Sequence, residues 1–80
     1  MYNIRINDIV WISNYPAHPV RFFKCRVVNE IVANDPMFGD TYVLLLEDGS
    51  KVHRAAINIY HTREEAQRCL IRKLNKLQPI

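Results

Sequence analysis

The 80-residue chain is poor in cysteine and lacks long apolar runs. Its two cysteines, Cys25 and Cys69, lie far apart and outside any CxxC motif, so no disulfide framework is visible and both are expected as reduced thiols. No stretch approaches the about 18 apolar residues of a membrane span, and the opening MYNIRINDIVW lacks the basic and apolar segments of a secretory signal. The sequence therefore predicts one cytoplasmic domain over residues 1–80 with no membrane association.

Motifs that carry catalysis or metal binding are missing as well. There is no Gly-rich phosphate loop, nucleophile elbow or paired-carboxylate motif. A Cys–His pair that meets only in space stays open, because His18, His53 and His61 are present. The spacing from His53 to His61 and on to Cys69 is wider than the about two to five residues between typical zinc ligands. We therefore predict no enzyme activity, no metal and no cofactor.

Charge is distributed unevenly along the chain. Residues 1–50 carry four bases and six acids, a net −2, whereas residues 51–80 carry seven bases and two acids, a net +5. The two halves sum to the overall +3. Basic character therefore belongs to the C-terminal third.

The first fifty-odd residues have the pattern of short strands. Asp8 to Ser13 is β-rich, and the loop NYPAHPV follows, with two prolines that remove backbone donors. In RFFKCRVVNEIV, Arg21 to Val32, apolar residues alternate with mixed ones, which predicts a long strand. The loop ANDPMFGD then leads into YVLLLEDGSKVHR. Asp48-Gly49 inside that segment predicts a hairpin with a two-residue turn, in which Leu45 faces Val52.

The C-terminal segment predicts an amphipathic helix. Thr62 followed by Glu65 has the spacing of a capping box, which starts a helix. One apolar stripe follows at helical spacing, formed by Ala66, Leu70, Leu74 and Leu77. The helix is expected to span Arg63 to Leu77. We expect its stripe to cover barrel residues such as Leu44 or Leu46, because both faces of their strand are apolar.

The order of these elements resembles a small SH3-like barrel of the Tudor or KOW type. The residues that carry the resemblance are NDIVWIS, RFFKCRVVNEIV and YVLLLEDGSKVHRAAINIY, within roughly residues 6–60. The resemblance implies a five-stranded barrel over about residues 4–60, closed by the helix over about residues 62–77. It also implies a non-enzymatic module that binds proteins or nucleic acids.

Two loop segments supply candidate protein contacts. Tyr15 and His18 lie in the Pro-bearing loop, where burial is less favoured than in a strand. Met37 and Phe38 form an apolar pair at the tip of the next loop, a composition typical of an interface anchor. The aromatic residues have two open interpretations, namely core packing or a cage that holds a cation. The cage would draw on Trp11, Tyr15, Phe22, Tyr42 and Tyr60.

A row of bases on the helix supplies the candidate anion contacts. Arg68, Arg72 and Lys76, here called the basic row, recur every four residues opposite the apolar stripe. Like charges at this spacing repel by about 0.2–0.5 kcal/mol per pair. With Arg63 and Arg54 they could face phosphates or a partner's carboxylates. A solvated helix face is the alternative, since bases near a helix C-terminus suit the helix dipole.

These features favour a small binding module that docks on a protein partner as an adaptor or inhibitor. Its short format is similar to phage- or mobile-element-type host-modulating proteins. The alternative is RNA or DNA binding through the basic helix, with Trp11, Tyr15 or Phe38 available for base stacking. Homodimerisation is also open, through strand edges or apolar surface left at Leu44, Leu46 or Ile71.

Overall fold

A computed structural model describes residues 4–31 and 39–77, with the side chains of residues 76 and 77 outside the description. The chain is mainly β, with one C-terminal helix, as predicted. Four antiparallel strands form one sheet in the order β1-β2-β3-β4. The elements are β1 Ile9–Ser13, β2 Phe22–Ile31, β3 Thr41–Leu46, β4 Lys51–Ala55, a 3₁₀ turn Ala56–Asn58 and α1 Arg63–Leu77.

Alternation along β2 places the core on one face of the sheet. Cys25 is 2% exposed and Val27 is fully buried, whereas Lys24 and Arg26 are exposed. The buried residues of the neighbouring strands lie on the same face, because side chains alternate across a strand. The main core cluster comprises Val10, Ile12, Cys25, Val27, Tyr42, Leu44, Ala56 and Ile59. Leu44 is fully buried, so the prediction that it offers surface for homodimerisation is wrong.

The hairpin is present, but the predicted two-residue turn is wrong. Leu45 pairs with Lys51 and Leu44 with Val52, one residue away from the predicted register. Gly49 N–H donates to Leu46 O at 3.0 Å, and Leu46 N–H donates to Ser50 O at 2.9 Å. A type I′ turn needs positive φ at both central residues, and here only Gly49 has it, at 89°. The loop is therefore a three-residue connection with Gly49 in the left-handed region.

After β4 the chain returns to the opposite edge of the sheet. The 3₁₀ turn leads to Tyr60, which forms an isolated antiparallel bridge with Trp11 of β1. Trp11 N–H donates to Tyr60 O at 2.7 Å, and Tyr60 N–H donates to Trp11 O at 3.0 Å. The expected fifth strand is thus a single bridged residue. Among the described strand pairs none joins β4 to β1, and the sheet is open.

The helix begins at the predicted cap and spans the predicted range. Glu65 N–H donates to Thr62 Oγ1 at 3.1 Å, and Glu65 Oε2 accepts from His61 N–H at 3.3 Å. The helix packs mainly against β1 and β2 rather than against β3, the strand that its apolar stripe was expected to cover. The Tyr60–Trp11 bridge explains this placement, since it brings the chain to β1 only two residues before the cap.

The contrast between Leu44 and Leu74 tests where the core lies. Replacing Leu44 with alanine should lower the free energy of unfolding by about 2–5 kcal/mol, because it leaves a cavity among fully buried neighbours. Leu74 is 38% exposed, so Leu74→Ala removes the same atoms for about 1 kcal/mol or less. Urea unfolding followed by circular dichroism measures both, with sucrose added if Leu44→Ala is too unstable alone. Equal losses of unfolding free energy in Leu44→Ala and Leu74→Ala would contradict the assignment of Leu44 to the core.

Candidate functional site

Those predicted contact residues that the structure describes do not form one surface. Met37 and Phe38 lie outside the described residues, as does the side chain of Lys76. His18 is exposed in the loop between β1 and β2, whereas Tyr15 of the same loop is half-buried. Five of the seven bases in residues 51–80 divide among three places, namely an aromatic pair on β1 and β2, a cavity beside the helix, and the outer face of the helix. Lys51 is exposed at the start of β4.

Arg63 holds the start of the helix against the sheet. Its guanidinium carbon lies 5.9 Å from the ring centroid of Trp11 and 5.9 Å from that of Phe22. Ser13 pairs with Phe22 across the sheet, so Phe22 and Trp11 are diagonal neighbours on one face. Both distances suit cation–π attraction, for which about 6 Å is the limit. The two rings therefore already hold a cation from this chain.

The five aromatic residues proposed for a cage do not converge. Tyr42 is buried in the core, where its hydroxyl donates to Glu30 Oε2 at 3.0 Å. Trp11 and Phe22 accompany Arg63, while Tyr15 and Tyr60 line a separate cavity. Core packing thus accounts for Tyr42, and the internal cation–π contact accounts for Trp11 and Phe22.

A basic cavity of about 190 Å³ lies between the helix and one end of the sheet. We call it the Arg54–Lys73 cavity after its two cations. Its walls come from β1, the following loop, β4, the 3₁₀ turn, the bridge residue and the helix. The lining residues are Ser13, Tyr15, Arg54, Asn58, Tyr60, Ala66, Leu70 and Lys73. None of these described residues carries a carboxylate, so the charge of the lining is +2.

Local hydrogen bonds position the walls of this cavity. Asn14 organises the loop, because its side chain accepts from Arg21 N–H at 2.7 Å and donates to Pro19 O at 3.1 Å. Tyr15, the next residue, donates its N–H to Ser13 Oγ at 3.4 Å. On the opposite side, Tyr60 Oη donates to Cys69 Sγ at 3.1 Å, which joins the bridge residue to the helix.

Sequence reasoning selected Tyr15, Arg54 and, as a cage candidate, Tyr60, but it missed Lys73, Asn58 and Ser13 as members of this site. Lys73 was overlooked although it follows Ala66 by two helical turns, a spacing that places it on the docked face of the helix. Ala66 is 1% exposed there. Asn58 and Ser13 carried no comparable signal, since their places depend on the 3₁₀ turn and the strand register.

The rest of the helix presents two free surfaces. Arg68 and Arg72 of the basic row are exposed on the outer face. On another side, Ile71 is 56% exposed and Leu74 is 38% exposed. We call Ile71 and Leu74 the apolar flank. The sheet therefore covers the first half of the helix better than the second.

The buried thiol is poorly suited to nucleophilic chemistry. Burial raises the pKa of Cys25 to about 11, an effect that the positive charge of Arg54 partly offsets. The thiol is therefore protonated at neutral pH, and the thiolate is the reactive form. Among the described residues, no three His, Cys, Asp or Glu side chains are grouped closely enough to hold a metal ion. The absence of enzyme activity, metal and cofactor stays a prediction.

Comparison with protein-family models, with curated proteins and with solved structures finds no match for this chain. In the described part of the chain, no helix combines the length and the apolar character that crossing a lipid bilayer requires.

Removing the Arg63 guanidinium should loosen the helix from the sheet. Arg63→Ala is expected to lower the free energy of unfolding by about 0.5–1 kcal/mol, the value of one exposed cation–π contact. It should also change the emission of Trp11, the single tryptophan. Arg68→Ala, which removes a base from the outer face, is the matched control. Equal losses of unfolding free energy in Arg63→Ala and Arg68→Ala, with unchanged Trp11 emission, would contradict the contact between Arg63 and the two rings.

The raised pKa of Cys25 predicts a loss of stability in alkaline solution. The unfolded thiol ionises near 9.0 and the folded thiol near 11, so the folded chain keeps its proton longer. This contribution is complete below pH 9 and is lost between pH 9 and about 11, with a slope of up to about 1.4 kcal/mol per pH unit. Urea unfolding across this range should show a smaller slope for Cys25→Ala. An unchanged slope in that variant would refute the assignment.

Proposed function

We propose that this chain is a small non-enzymatic binding module that docks on a protein partner, as an adaptor or inhibitor. The observation that carries the proposal is the partly uncovered helix. Its first half is fixed by the cap, by Arg63 and by buried Ala66, whereas Ile71 and Leu74 remain exposed. A helix that is anchored at its start and has an uncovered apolar flank offers a preformed surface to a partner.

The composition of the free helix surface supports a protein rather than a nucleic acid. Protein interfaces combine an apolar centre with arginine, whereas nucleic-acid interfaces are more polar and much more basic. Here the apolar flank lies on the same helix as exposed Arg68 and Arg72. The partner that fits has apolar side chains for Ile71 and Leu74 and acidic groups for the arginines.

The SH3-like barrel is part of this proposal. Its support is the strand order β1-β2-β3-β4, followed by a 3₁₀ turn and a residue paired to the free edge of β1. A fifth strand of such a barrel would occupy that edge. A cytoplasmic location belongs to the same proposal, with the two free cysteines, Cys25 and Cys69, as its support. A host-modulating role of the phage or mobile-element type is also part of it.

Nucleic-acid binding is the second candidate, and the exposed Arg68 and Arg72 of the basic row favour it. Arg68 and Arg72 lie four residues apart on the outer face, where they repel each other unless an anion lies between them. The stacking residues fit this candidate less well. Trp11 is engaged by Arg63, and Tyr15 is half-buried in the cavity wall.

A photo-crosslinking amino acid placed at position 71 tests the protein-docking proposal. In cells that express the protein, we expect a discrete protein adduct from position 71. The matched control is position 9, because Ile9 is 49% exposed, close to the 56% of Ile71, but belongs to β1. Leu74→Ser should abolish the adduct, because it removes the second apolar contact. Adducts of equal yield from both positions would refute docking through the apolar flank.

The same samples distinguish the alternatives. Nuclease-sensitive adducts would favour nucleic-acid binding. So would binding of an oligonucleotide whose affinity falls steeply with salt concentration. That binding should be lost in the triple variant Arg68→Glu, Arg72→Glu, Lys76→Glu. Adducts of twice the chain mass would identify a second copy of this protein as the partner. Sedimentation at several concentrations checks that outcome independently.

A further inference from the structure

The Arg54–Lys73 cavity has a charge arrangement that the docking proposal does not use. Two cations from different elements, β4 and the helix, line one small space. Arg54 is half-buried, and its Nη1 donates to His53 O at 2.9 Å, which holds the guanidinium close to its own strand. Two positive charges facing one space repel each other, and no acid in the described lining neutralises them.

The neutral residues of the lining add hydrogen-bond donors to these charges. Tyr15 and Ser13 contribute hydroxyl groups, and Asn58 contributes a side-chain amide. Together with Arg54 and Lys73, these residues line the space from a loop, two strands, a turn and a helix. Donors that surround a space on several sides suit a tetrahedral oxyanion better than a planar carboxylate, which arginine alone can bind in one plane.

The volume sets an upper limit on the ligand. At about 190 Å³ the cavity is smaller than the about 300–1,000 Å³ of pockets that take drug-sized molecules. A single phosphate group with a short stem fits this size class. A phosphate monoester carries about −1.5 to −2 charges at neutral pH, which balances the +2 of the lining.

We propose that the Arg54–Lys73 cavity is a binding site for one phosphate group, either free inorganic phosphate or the end group of a phosphate monoester. Arg54 supplies a fixed, two-pronged donor from the sheet, and Lys73 supplies a mobile point charge from the helix. Bound phosphate would tie β4 to the helix through ionic contacts. The site is separate from the apolar flank, so it does not depend on the proposed function.

A titration of the isotope-labelled 80-residue chain with inorganic phosphate tests the site. The readout is the amide chemical shifts in ¹H–¹⁵N spectra, with ionic strength held constant by replacing chloride. We expect saturable shifts centred on Ser13, Asn58 and Tyr60. Lys73 is exposed, so Lys73→Gln should leave the fold intact and weaken binding about tenfold, the effect of losing one charge-assisted hydrogen bond.

Lys51→Gln is the matched control. It removes the same charge from an exposed position in β4, outside the described cavity lining, and should leave the affinity within about twofold. Three results would each overturn the proposal. The chemical shifts could rise linearly with phosphate without saturation, or they could spread evenly over all basic residues. The phosphate affinity could also fall equally in Lys51→Gln and Lys73→Gln. Acetate in place of phosphate should bind more weakly, and tighter binding of acetate would overturn the preference for a tetrahedral anion.

A parallel titration with O-phosphoserine distinguishes the two sources of phosphate. Tighter binding of O-phosphoserine than of inorganic phosphate would support a phosphate monoester as the ligand, with its stem against Leu70 and Tyr15. Tighter binding of inorganic phosphate would support the free ion. In either case the loss in Lys73→Gln must persist. Failure of the crosslinking experiment at position 71 would not alter these results, because the probe here is a small ion.

Discussion

The two hydrogen bonds between Trp11 and Tyr60 determine where the helix lies and therefore what surrounds every candidate site. They pair the chain with the free edge of β1, at N···O distances of 2.7 and 3.0 Å. The helix cap at Thr62 follows after one residue, so the helix must start beside β1. Arg63 then reaches the two rings on the outer face of β1 and β2, and Lys73 reaches the end of the sheet where Arg54 lies. The bridge and the contact of Arg63 with Trp11 together direct the helix to β1 rather than to β3.

Local signals in the sequence predicted local structure well, because the interactions behind them span only a few residues. Thr62 and Glu65 determine the start of the helix through contacts within one turn, and the predicted span from Arg63 to Leu77 is correct. Alternation along β2 likewise gave the correct buried face. The hairpin shows where this reasoning ends. Asp-Gly fits both a two-residue and a three-residue connection, and the choice depends on the φ of one residue, Asp48. The side chain of Asp48 accepts a hydrogen bond from Ser50 N–H at 2.9 Å, an interaction typical of turns.

That single-residue difference has a large effect on the candidate site. In the predicted register Arg54 faces Val43, whereas in the structure it pairs with Tyr42, on the face that carries the core. Because side chains alternate across a strand, a shift of one residue moves each side chain to a different set of cross-strand neighbours. Arg54 consequently lies close enough to Cys25 to affect its pKa, and it lines the cavity rather than joining the basic row. The cavity could not be predicted as a unit, since its walls depend on this register, on the Asn14 loop and on the bridge at the same time.

The bases of the C-terminal third illustrate why net charge is a poor guide to the partner. Residues 51–80 carry +5, which on an evenly basic surface would favour nucleic acid. The fold divides that charge among distinct environments. Arg63 lies against two rings and Arg54 and Lys73 line a cavity. Of the described side chains on the helix, only Arg68 and Arg72 form an outward basic pair. A pair of arginines is a small electrostatic surface for a polyanion, but it is sufficient to orient an acidic protein beside an apolar contact. In the proposed docking mode the exposed Ile71 and Leu74 would supply that contact, and for this reason the proposal of a protein partner rests on the distribution of charge more than on its total.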